Sequence, residues 1–160
     1  MKKVAIWIAF ALLAAALLGL SIWQNTSAPK ISNDPLCQGI ISRWNAGLPD
    51  GFTKVEAADQ AESGEGYSFA RLTYDRDVSG ILEKWQDGNP AHLSAFNSLA
   101  DSYAACGYIT AEHAGILEAN RPAEGGYLSY TMEREGTDAK IVLLYDADTH
   151  NMYVMERLLP

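Results

Sequence analysis
The hydrophobic positions of this chain follow two patterns. Residues 4–23, VAIWIAFALLAAALLGLSIW, form one continuous apolar run with no ionisable side chain. As a helix rising about 1.5 Å per residue, such a run spans roughly 30 Å, the hydrocarbon thickness of a bilayer. Beyond residue 33 the apolar positions are periodic instead, and the period changes along the chain.

Helical spacing comes first. Asp34-Pro35 supplies an N-cap followed by Pro at the first helical position. Cys37, Ile40, Ile41 and Trp44 then recur on one face, with Gly47 as the stop signal. Residues 52–58 and 67–74 read as two strands separated by an acidic, Gly-containing loop at 62–66. Val78, Ile81, Leu82 and Trp85 return to i, i+3, i+4, i+7 spacing, which predicts a helix before Gly88. Asn89-Pro90 repeats the cap signal for a helix carrying Leu93, Phe96, Leu99, Tyr103 and Cys106 on one face. A shorter helix runs from Thr110 through Leu117. Strands then occupy 127–134, 140–145 and 152–159, with loops short enough for an antiparallel meander. IVLLY at 141–145 is apolar on both faces, as a central strand requires.

The first run sets the expected address. Lys2 and Lys3 precede it and Lys30 follows, so the positive-inside bias places the N-terminus in the cytoplasm and exports the rest. The run exceeds the 7–15 residues of a signal-peptide core. The small-residue pairs Gly19/Ser21 and Thr26/Ala28 make poor cleavage contexts, the second because Pro29 would follow the cut. The expectation is an uncleaved single-pass anchor through residues 4–23, with a secreted or periplasmic product after cleavage as the alternative. The run lacks the early acidic residue of a type IV pilin, and Cys37 is too far from its end to be a lipoprotein cysteine. Residues 24–33, QNTSAPKISN, read as a linker, and residues 34–160 as one exported domain.

Charge narrows the partners. The chain holds 20 acidic and 12 basic residues. With Lys2 and Lys3 left inside, the exported part carries a net charge of about −10. That disfavours nucleic acid, which is bound by neutralising phosphates with Lys and Arg. It fits a protein partner with a basic surface, or no electrostatic partner at all, since most acidic surfaces only keep a protein soluble. The two cysteines, Cys37 and Cys106, each fall on an apolar helical stripe, and in an oxidising compartment they are expected to form a disulfide that packs one helix on the other.

Catalytic motifs are incomplete. His92, His113 and His150 are the three histidines. Glu112-His113 lacks the second histidine of a zincin, and no G-x-S-x-G or G-x-G-x-x-G occurs. Asp101 would act with His92 or His113 only if the fold joined them. Ser94, Ser98 and Ser102, four apart, read as a polar helical stripe. Asp146-Ala-Asp148-Thr-His150-Asn151 begins like a calcium loop, but Asn151 replaces the turning Gly and Arg157 the bidentate Glu, so turn chemistry explains it. No metal or cofactor is expected.

These readings combine into an α+β domain, with three to four helices on one face of an antiparallel sheet of about five strands. The expected role is non-enzymatic protein binding in the cell envelope, as an inhibitor or immunity factor or an accessory subunit of a membrane complex. The alternative is a small envelope hydrolase using Asp/Glu and His residues.

Overall fold
The apolar segment at 141–145 becomes the strand from which both layers of the domain are built. In the computed structural model, which describes residues 31–59, 66–82 and 84–158, it lies within β5 (Lys140–Asp146). The other strands are β1 (Phe52–Asp59), β2 (Gly66–Tyr74), β3 (Gln86–Asp87), β4 (Leu128–Glu133) and β6 (Asn151–Leu158). They form one six-stranded antiparallel sheet in the order β1-β2-β6-β5-β4-β3. The expected meander is present as β4-β5-β6, and the β1-β2 hairpin docks on its last strand.

Three helices cover this sheet: α1 (Pro35–Trp44), α2 (Pro90–Ala104) and α3 (Ala111–Ala119). Each starts on the cap read from the sequence. Asp34 accepts the N–H of Leu36, Asn89 that of Ala91 and Thr110 that of His113. At its far end α1 stops earlier than Gly47, because Asn45 takes the left-handed conformation (φ 52°) and returns its N–H to the carbonyl of Ile41.

The helices do not share one face, as was expected. Cys37, Ile40 and Trp44 of α1 pack with Leu72, Tyr74, Ile141, Leu143, Tyr145, Met152 and Val154. Phe96, Leu99 and Tyr103 of α2 and Leu117 of α3 pack with Phe69, Val142, Leu144, Tyr153 and Met155 on the opposite face. Alternation along β5 and β6 sends successive side chains to opposite faces, so a strand apolar at every position needs a layer on each side. This separation undoes the expected disulfide. Cys37 belongs to the α1 layer, Cys106 packs against the α2 layer, and both are free thiols with the sheet between them.

A second correction concerns residues 78–85. Val78 and Leu82 are buried as the stripe required, yet helical structure is limited to a 3-10 turn at Ser79–Ile81. Asp77 accepts the Ser79 amide and hydroxyl where that turn begins, and the chain then extends so that Gln86–Asp87 pairs with β4. Gly88, at φ 63°, turns it towards Asn89 and α2. The end of the segment read as linker belongs to the fold. Ile31 bridges Pro49, and the amide of buried Ser32 donates to the Leu48 carbonyl at 2.8 Å. Residues 4–23 lie outside the described residues, among which no helix is long and apolar enough to cross a membrane.

Candidate functional site
Antiparallel pairing gathers the starts of β1, β4 and β6 and the ends of β2, β3 and β5 at one end of the sheet. The loops there carry Asp50, Asp75, Asp77, Asp87, Asp146 and Asp148, all exposed except the half-buried Asp146. Arg76 and His150 are the basic side chains among them. This end of the sheet therefore carries six carboxylates against two basic side chains.

Internal bonds hold two of these carboxylates. Asp77 accepts from the Ser79 amide (2.9 Å), the Ser79 hydroxyl (2.6 Å) and the Tyr145 hydroxyl (2.9 Å). Those Ser79 bonds foremost, then Tyr145 and the charge of nearby His150, hold Asp77 below the usual carboxylate range. Tyr145 in turn accepts the Val78 amide, and burial pushes its phenol up to about 12. Asp146 accepts the amides of Asp148 and Thr149 and, at 2.6 Å, the Thr149 hydroxyl. The calcium-like letters thus spell a hairpin turn whose leading acid is spent on its own backbone, with His150 at φ 54°. Asp50, Asp75, Asp87 and Asp148 project their charge into solvent.

At the other end of β5 and β6 two basic side chains lie on the α2 face, beside the acidic β4–β5 connection that holds Glu135 and Asp138. Lys140 and Arg157 stand directly opposite each other across the two strands. Lys140 pairs with Glu133 at 2.6 Å, and Arg157 Nε donates to the Asp138 carbonyl at 2.7 Å. Above them α2 sets Ser94, Ser98 and Ser102 along a groove of about 440 Å³. The Ser102 hydroxyl donates back to the Ser98 carbonyl at 2.8 Å, as a helical polar stripe does.

The histidines are dispersed. His92 belongs to a network whose polarity is fixed at both ends by backbone groups. Asn89 Oδ1 must accept from the Ala91 amide (3.1 Å), so Asn89 Nδ2 faces His92 Nε2 at 3.2 Å as the donor. His92 is therefore the neutral Nδ1–H tautomer and donates to Ser129 Oγ at 2.7 Å, while Ser129 donates to the Gln86 carbonyl at 3.1 Å. That direction is the reverse of an activated serine, whose proton must pass to the imidazole. Burial foremost, then the nearby Lys140 charge, lowers the His92 pKa.

Asp101 meets neither His92 nor His113. It pairs with Arg121 at 2.7 Å, while His113 Nδ1 sits 3.5 Å from the Tyr103 hydroxyl. The cavities of 440, 400 and 320 Å³ are lined by no histidine. The smallest of these contains the site that sequence reading missed. There Arg43 of α1 faces Asp59 and Ser68 beside its bond to buried Glu156. Hairpin symmetry is the signal that would have found it, since it fixes Glu156 opposite Ser68 and Ile141, facing inward.

No family model, curated protein or solved structure matches this chain.

Proposed function
We propose that the chain is a membrane-anchored envelope protein whose exported domain binds another protein by presenting the acidic end of its sheet to a basic surface. The observation that carries this reading is the gathering of Asp50, Asp75, Asp87 and Asp148 at one end, away from Lys140 and Arg157. A cluster of exposed carboxylates attracts an approaching basic partner, which raises the association rate more than it lengthens the complex's life. An inhibitor, an immunity factor and an accessory subunit of a membrane complex are each compatible with this reading.

The test compares the full-length protein, solubilised from membranes, with the triple variant Asp75→Asn, Asp87→Asn, Asp148→Asn. A specific partner should be retained by the natural chain, and kon should fall at least tenfold in the variant at an unchanged melting temperature. Raising salt should have the same effect, because the Debye length shrinks from about 30 Å at 0.01 M to about 8 Å at 0.15 M. Equal kon for the two chains removes the acidic end as the docking site. For the anchor, a reporter active only outside the cytoplasm, fused after Pro160, should work, and the chain should resist alkaline extraction from membranes.

A further inference from the structure
Ile31, where the described residues begin, is seated on the domain. It bridges Pro49, and its side chain lies so close over Gly47 that a Cβ added there would come within 2.9 Å of Ile31 Cδ1. Ile31 is nonetheless 44% exposed, because it forms one wall of a groove of about 400 Å³. Ile81, Lys84, Trp85 and Tyr130 line the same groove. The Trp85 and Tyr130 rings, 6.1 Å apart at their centroids and tilted by 33°, are half-buried against the α1 layer. Among the described residues no carboxylate lines this groove, and exposed Lys84 makes no ion pair. Tryptophan, tyrosine and lysine around an apolar floor are the set of side chains that prefers a membrane–water interface.

Chain length selects the occupant. Seven residues, 24–30, separate Ile31 from the end of the apolar run at Trp23. Fully extended they reach at most about 25 Å, and as a flexible coil they average about 15 Å. Crossing a headgroup layer of roughly 5–7 Å uses part of that length. The average remainder is shorter than the roughly 14 Å radius of gyration of a domain of this size. We infer that this groove docks on the phospholipid headgroup layer of the bilayer holding residues 4–23, an inference that rests on the anchor proposed above. Ile31, Ile81 and the Trp85–Tyr130 pair enter the layer, and the Lys84 ammonium meets lipid phosphate. The tether makes docking intramolecular, so a contact too weak to recruit a free domain suffices.

The test reads Trp85 itself. Trp7→Phe and Trp23→Phe in the full chain leave Trp85 and the buried Trp44 as the only tryptophans. This chain is reconstituted into vesicles of phosphatidylcholine alone, with or without a headgroup nitroxide, and floated to show retention. The reporter is moved to an exposed position on the α2 face by Trp85→Phe with Ser98→Trp, and Trp85→Phe alone supplies the Trp44 background. The nitroxide should quench Trp85 at least threefold more strongly than the tryptophan at position 98. Lys84→Glu should at least halve the Trp85 quenching at an unchanged melting temperature. In chains that float, equal quenching at positions 85 and 98, or quenching unmoved by Lys84→Glu, overturns the inference and leaves the anchor standing. A chain that does not float overturns the anchor reading and the inference with it.

Discussion

Arg43 Nε and Nη2 donate to the two carboxylate oxygens of Glu156 at 2.7 and 2.9 Å, and the indole N–H of Trp44 donates to the same carboxylate. The Glu156 side chain is fully buried on β6, so this fork fixes the last turn of α1 onto the middle of the sheet. Arg134 reinforces it from β4's far end, lying 4.9 Å above the Trp44 ring and donating to the Arg43 carbonyl at 2.7 Å.

Removing one member of this pair leaves a buried charge without its partner. Arg43→Met should destabilise the domain by about 2–3 kcal/mol, less than the roughly 3–5 of a fully enclosed pair because the Arg43 side chain is 36% exposed. Arg43→Met with Glu156→Leu should recover most of that loss, since the uncompensated carboxylate goes too. Urea unfolding of the three chains measures both effects, and a double variant no more stable than the single would mean that geometry, not charge burial, sets the cost.

The two thiols should both titrate in denatured protein that has never been reduced. In the native state Cys106, half-buried, should react first with a small thiol reagent. Cys37 should stay protected, because it is enclosed in the α1 layer and burial pushes its thiol pKa up. A mass shift after native labelling, located by digestion, distinguishes one modified residue from two.

His92 should make stability depend on pH in the acid direction. Its folded-state pKa lies below the ordinary value near 6.5, so the unfolded chain binds the proton first. Stability is then constant above about pH 7, falls as pH drops through 6.5, and levels off below the folded-state pKa. Protonation would also set an Nε2–H against the Asn89 amide donor, loosening the link between β3, α2 and β4. His92→Gln should flatten the part of the melting-temperature decline between pH 7 and 5 that belongs to this residue. An identical decline in the variant would show that His92 is not its source.

Local signals were legible where one residue type does one job. Asp34, Asn89 and Thr110 announced their helices because a short polar side chain before an apolar periodicity has few other uses. The outer two strands of the meander were readable from alternation, the central one from its apolar run, and all three from the turn residues between them. The segment 78–85 was not, because the same four apolar positions satisfy both a helical stripe and an extended chain whose Val78 and Leu82 dip into the core. The layer assignment failed for a different reason. Periodicity shows which positions of a helix are buried but not which face of the sheet buries them, so Cys37 and Cys106 looked like neighbours while lying in separate layers. At the acidic end the carboxylates were visible in the composition. Their convergence depends on β2 pairing with β6, a contact between residues far apart in the chain.

That same pairing orders the birth of the domain. β6 ends at Leu158, yet it stands between β2 and β5 and joins the N-terminal hairpin to the C-terminal meander. A nascent chain emerging from its N-terminus can form α1 and the first hairpin early, but neither layer has a floor until the final strand arrives. Such long-range closure makes folding slow and leaves apolar β2 uncovered in the meantime. A chain that ends prematurely before Asn151 loses the keystone of both layers, not a frayed tail, and should be cleared by proteolysis instead of accumulating as a shortened domain.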